Sequence, residues 1–117
     1  LQNRGRIMKV KIDLNLEKFA QELMDDDFKT EAYELAYQKM YNYIPYKTGA
    51  LSGGVNIDKT GIEFIEDYAP YVYDSEGWDF NKEVHALATD HWDKAAIAAR
   101  GDEIIKDLEV YLLRRRK

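Results

Sequence analysis

Residues 55–66 read Val-Asn-Ile-Asp-Lys-Thr-Gly-Ile-Glu-Phe-Ile-Glu. Apolar and polar side chains alternate on both sides of Lys59-Thr60-Gly61, and a period of two sends each set to its own face of a strand. Two such runs joined by three residues, with Gly at the position that takes a positive φ, predict an antiparallel β-hairpin. A lone hairpin is marginal in water, so the rest of the chain has to cover its apolar face.

Both flanks carry suitable patterns. Met8, Val10, Ile12 and Leu14 alternate with Lys9, Lys11 and Asp13, which predicts a first strand. Asn15 is placed to cap a helix whose apolar positions Leu16, Phe19, Ala20, Leu23 and Met24 form one stripe. Asp25-Asp26-Asp27 interrupts that stripe, and a second helix restarts there with Phe28, Ala32, Leu35, Ala36, Met40 and Tyr43 on one side. Pro45 and the turn residues Thr48, Gly49, Ser52, Gly53 and Gly54 stop it, with a short central piece around Ala50-Leu51.

After the hairpin, Asp67-Tyr68-Ala69-Pro70 reads as a turn, and Tyr71-Val72-Tyr73-Asp74 as the third strand of a meander. A loop with Gly77, Trp78 and Asn81 leads to a helix over residues 88–99, with Trp92, Ala95, Ala96 and Ala99 inward. Gly101-Asp102 predicts a stop and restart, before Ile104, Ile105, Leu108, Tyr111 and Leu112 line a final helix. The fold class is α+β: a small antiparallel sheet, formed by a central three-strand meander with an N-terminal strand available to join it, packed against N-terminal and C-terminal helices. Residues 1–7 read as an expression leader or disordered tail, and 8–117 as a single domain, the expectation for a chain of 117 residues.

Composition narrows the chemistry. Without cysteine there are no disulfides, thiolate nucleophiles or cysteine-based metal sites. The net charge is −5 and the one cationic cluster is Arg114-Arg115-Arg116-Lys117, so there is no basic face for sequence-specific nucleic-acid binding; cations at a helix C-terminus ordinarily complement its dipole. No apolar run approaches the roughly 18 residues that span a bilayer, and neither a membrane nor a secretory route is expected.

Acid–base or metal chemistry would have to use His85 or His91 with Asp90 and Asp93, and with Asp74, Glu76 and Asp79 nearby. The histidines lie six positions apart across a helix start, a poor spacing for a compact metal site. His91 beside Trp92 is expected to hydrogen-bond backbone or pack in the turn. Asp25-Asp26-Asp27 lacks a calcium-loop arrangement, and Thr48-Gly49-Ala50-Leu51-Ser52-Gly53-Gly54 lacks the Lys-Ser/Thr of a phosphate cradle. The expectation is no catalytic residue, no metal and no cofactor, although a triad assembled only by the fold leaves no mark in spacing. Nine tyrosines, with an apolar face and polar tip, suit surfaces that are wet alone and buried in a complex.

Three ordered stretches carry a resemblance. Ile44-Pro45-Tyr46-Lys47-Thr48-Gly49-Ala50-Leu51, between helix and strand, resembles the "proline, x, x, threonine-glycine-x-leucine" signature of tailed-bacteriophage minor capsid and head–tail joining (neck, tail-completion) proteins. Tyr68-Ala69-Pro70-Tyr71-Val72-Tyr73 resembles that family's "tyrosine-alanine, x, tyrosine" strand, with an added proline that limits pairing there. The run from His85 to Ala96 resembles its "alanine-threonine, x, x, tryptophan, x, x, alanine" approach to the last helix.

The resemblance implies a structural virion protein at the neck, acting as a homo-oligomeric ring with neighbouring neck, portal-adaptor or tail proteins, in the virion and in the host bacterial cytoplasm during assembly. By the same resemblance Tyr46, Thr48, Gly49 and Leu51 shape the turn between long helix and sheet, Tyr68, Tyr71 and Tyr73 mark a strand, and Trp92, next to His91, locks the last helix to the core. The residues also allow a purely architectural reading, with Thr48 capping, Gly49 relieving the backbone and Leu51 anchoring. Two other functions compete: a small phage-encoded binding module that regulates a host protein, and a metal-dependent hydrolase built on His85 and His91.

Overall fold

The computed structural model describes residues 8–12, 14–45, 50–66, 68–75, 80, 82 and 85–115. Its elements run β1 (Met8–Val10), a 3₁₀ turn (Gln21–Leu23), α1 (Asp26–Met40), a second 3₁₀ turn (Tyr41–Tyr43), α2 (Ala50–Gly53), β2 (Val55–Asp58), β3 (Gly61–Phe64), α3 (Ala69–Tyr73) and α4 (Trp92–Arg115). The α+β class holds.

The hairpin forms where alternation predicts it, with Val55 opposite Phe64 and Asp58 opposite Gly61. Its third strand is β1, paired antiparallel to β3 with Met8 opposite Phe64 and Val10 opposite Ile62, so the order is β1-β3-β2. β3 is central, and its Ile62 and Phe64 are fully buried. Gly61 has φ 148°, and a Cβ there would stand 2.6 Å from the carbonyl oxygen of Val10, so only glycine permits both the turn and the approach of β1.

α1 begins where the aspartate run predicts. Asp25 is extended, and its carboxylate accepts the N–H of Phe28 at 2.9 Å, satisfying a donor that the first turn leaves without a partner. The predicted stripe Phe28, Ala32, Leu35, Ala36 and Met40 is buried, as is Tyr43 in the following 3₁₀ turn. α1 packs against both the sheet and α4. It runs antiparallel to α4: Lys39 pairs with Glu103 at 3.1 Å and Asp107 at 3.6 Å near its C-terminus, and Asp25 pairs with Arg115 at the opposite end.

Four expectations are corrected. The first strand stops at Val10 instead of continuing to Leu14. The helix over residues 16–24 does not form: the Asn15 side chain accepts the N–H of Glu17 in a local turn, Ala20 is extended, and only Gln21–Leu23 coils, as 3₁₀. A stretch this short is a poor helix unless packing supports it. Here packing is met without one, since Phe19 is buried edge-on against Phe28 at 5.3 Å while Leu16 and Met24 are half-buried.

Tyr71–Asp74 is not a strand. Pro70 sits in the first turn of α3, where its missing N–H costs nothing and its fixed φ suits a helix, and the Tyr68 carbonyl accepts from Val72 at 3.2 Å. Finally, α4 is one helix, beginning at Trp92 and not at Ala88, and it passes through Gly101-Asp102 unbroken. His91 holds a positive φ of 43°, which keeps residues 88–91 out of the helix. At Gly101 an added Cβ would lie 3.5 Å from Ile97 Cγ2 and 3.6 Å from Leu14 Cδ2, ordinary contact distances, so packing does not require the glycine and the helix simply continues through it.

Candidate functional site

Of the residues singled out in the sequence, Tyr46, Thr48 and Gly49 lie outside the described residues. Leu51 is buried in the core. Trp92 is fully buried with Phe64 edge-on at 5.4 Å and Tyr73 edge-on at 5.1 Å, so it fastens the first turn of α4 to the sheet and to α3. The Trp92 indole N–H has no acceptor among the described residues.

The helical form of α3 divides the three tyrosines. A strand would put Tyr71 and Tyr73 on one face; a helix instead makes Tyr68 and Tyr71, three apart, surface neighbours and turns Tyr73 away. Tyr71 is 55% exposed and Tyr68 also faces out, while Tyr73 is half-buried against Trp92.

Tyr73 donates its hydroxyl to Asp93 Oδ1 at 2.5 Å. Burial and the Asp93 carboxylate push the phenol well above the usual tyrosine range. The Tyr73 ring also stacks on His91 at 4.5 Å, and its carbonyl accepts the His91 N–H at 2.9 Å. His91 Nδ1 meets Asp90 Oδ2 at 2.8 Å and Nε2 lies 3.3 Å from Asp74 Oδ1. Hydrogen bonding to His91 holds the Asp90 carboxyl below its usual range.

A general base needs one ring nitrogen open to a substrate proton. Both His91 nitrogens face carboxylates, so the ring ties residues 73–74 to residues 90–91 around its left-handed backbone. His85, the other candidate, is buried, with Nδ1 2.7 Å from the Ile44 carbonyl oxygen and its ring 4.6 Å from that of Tyr41. With the Thr89 N–H donating to Tyr43 at 3.0 Å, it straps residues 85–89 to the end of α1. The two histidines thus serve separate fastenings, and among the described residues no group of three His, Cys, Asp or Glu is placed to hold a metal ion. No described helix is long and apolar enough to cross a membrane.

The sequence reading missed a concavity at the far end of α4. Phe19, Leu23, Leu112 and Leu113 line a groove of about 730 Å³ between the 3₁₀ turn and the end of α4, rimmed by Lys18, Glu22, Glu109 and Arg115. Ion pairs of Lys18 with Glu109 and of Arg115 with Asp25 brace its sides. Leu113 is 58% exposed. One signal was legible: Leu113 falls off the stripe that buries Ile104 and Leu108.

A family model described as "Minor capsid protein" matches residues 9–112, a span that includes all three motif stretches. The chain belongs to the minor capsid protein family, and its role is that of a structural component of a phage particle. No curated protein and no solved structure matches it.

Proposed function

We propose that this minor capsid protein is a head–tail connector subunit of the neck, acting as a homo-oligomeric ring seated among portal-adaptor or tail proteins and assembled in the host bacterial cytoplasm. The observation that carries this reading is the placement of exposed apolar side chains at both ends of α4. Ile65, Tyr68 and Tyr71 lie near its first turn, and Leu23, Val110 and Leu113 near its last. Large apolar side chains left in water at two separate places favour association over a single pocket for a small molecule. The carboxylate-bound His91 and the strapped His85 support a non-enzymatic role.

Light scattering of the purified chain, alone and mixed with the phage's neck proteins, tests the proposal. A mass equal to a multiple of the 13.7 kDa chain is expected, together with its presence in mature virions. A monomer under every condition that is also missing from particles would overturn it. The hydrolase alternative would be revived by turnover that disappears on His91→Ala.

A further inference from the structure

The His91 ring lies between two carboxylates, with Nδ1 2.8 Å from Asp90 Oδ2 and Nε2 3.3 Å from Asp74 Oδ1. An ionised carboxylate only accepts hydrogen bonds, and a neutral imidazole has a single N–H to give. The neutral ring therefore satisfies one carboxylate and turns a lone pair towards the other. The imidazolium, with an N–H on each nitrogen, satisfies both.

The two contacts do different things to the fold. Asp90 is the ring's own chain neighbour, whereas Asp74 is the C-cap of α3. The backbone holds the ring between them: His91 has φ 43°, its N–H is given to the Tyr73 carbonyl at 2.9 Å, and its own carbonyl accepts from Lys94 and Ala95 in the first turn of α4. Among the described residues, the other titratable group against the ring is Tyr73, 4.5 Å away, whose hydroxyl is bonded to Asp93. The N-terminal end of α4 carries a partial positive charge that opposes a cation here, but two full negative charges at 2.8 and 3.3 Å outweigh it.

We propose that His91 is a proton-operated latch on α3: the imidazolium holds Asp90 and Asp74 together, and the neutral ring keeps Asp90 and releases Asp74. Asp74 is the one released because its contact is the longer and its side chain is 71% exposed, so it turns into water at little cost. The packing of Tyr73 on Trp92 keeps α3 docked in both states, so what loosens is its C-terminal end. Imidazoles gain their charge between about pH 8 and pH 5, so the latch closes on acidification and its contribution to the joint is lost as pH rises. Tyr71, which α3 presents to solvent, is thereby held more firmly in acid.

Long-range proton–nitrogen correlation spectra of the full-length, ¹⁵N-labelled chain read the proton on each ring nitrogen, and the His91 signals are those missing from His91→Gln. At about pH 5 both nitrogens should carry protons, and at about pH 8 only Nδ1. The backbone amides of Val72 and Asp74 should shift with the same midpoint as the ring. In Asp74→Asn the ring should still titrate while this coupled shift is lost, because a side-chain amide accepts from an N–H or donates to a bare Nε2 equally well. A ring that titrates without moving the α3 amides would overturn the latch, as would an Asp74→Asn protein whose amides follow the ring as in the parent. A proton retained on Nε2 with Nδ1 bare at the alkaline end would also overturn it, since Asp90 would then be the contact released.

Discussion

The two ends of α4 obey the same helical code and reach opposite outcomes. At the first turn Trp92 has no solvent exposure: Phe64 from β3 and Tyr73 from α3 close on it. At the last turns Leu112 and Leu113 border an open groove, with Lys18, Phe19, Glu22 and Leu23 across from the helix. An apolar side chain contributes to folding when another element of the same chain removes it from water. Where no such element reaches, the same side chain is available to a neighbour. Trp92 thus holds the subunit together, while Leu113 stays exposed among the described residues.

Substitutions can break this contrast or sharpen it. Trp92→Ala should destabilise the fold by about 3–5 kcal/mol, read as a fall in the urea midpoint, because a fully buried ring leaves a cavity between α4, β3 and α3. A loss under about 1 kcal/mol would mean that this end is no more committed to folding than the other.

Tyr73→Phe should cost about 1–3 kcal/mol by leaving the buried Asp93 without its donor. It also carries a pH signature. Because the folded state holds this phenol above its ordinary range, the unfolded chain loses the proton first, and stability falls as pH climbs past about 10. Unfolding measured against pH should show a shallower alkaline decline in Tyr73→Phe; an unchanged slope would remove Tyr73 from the account.

At the other end, Asp25→Ala should lower the melting temperature slightly at neutral pH. Arg115 first, and then the Phe28 N–H, hold the Asp25 carboxyl below its usual range. That contribution is present above the ordinary carboxylate pKa and is lost as pH falls through the depressed folded value, so variant and parent should converge in acid. Melting curves at both pH values decide it. The smallest effect on folding belongs to Leu113→Glu, expected within about 0.5 kcal/mol of the parent in urea while self-association is reduced. A large stability loss there would erase the contrast between the ends.

Legibility in the sequence was uneven for physical reasons. The aspartate cap and stripe of α1, the hairpin and the burial of Trp92 were readable because each depends on neighbours within a few positions or on a strict period. Residues 14–24 and 71–74 carried equally good patterns and took other backbones. Phe19 and Leu16 needed only to reach the core, and a turn brought them there as well as a helix would. Around Tyr71 the alternation favoured a strand, but Pro70 started a helical turn and β1 had already taken the open side of β3. Gly101 looked like a helix stop, yet α4 continues through it, because glycine only weakens a helix that packing holds on both sides of it. Among the candidate site residues, Leu51 and Trp92 are buried in the core. Tyr68 and Tyr71 separated from Tyr73, and the groove was invisible because its walls come from opposite ends of the chain.

By itself the sequence determined which side chains leave water and where the strongest local signals start an element, since hydrophobic period and capping chemistry act over a few residues. Tertiary structure alone decided which strand completes the sheet, that α4 runs unbroken, and which apolar side chains remain uncovered. Those outcomes depend on which distant segments arrive in space and how much surface each can cover, and no local pattern encodes that.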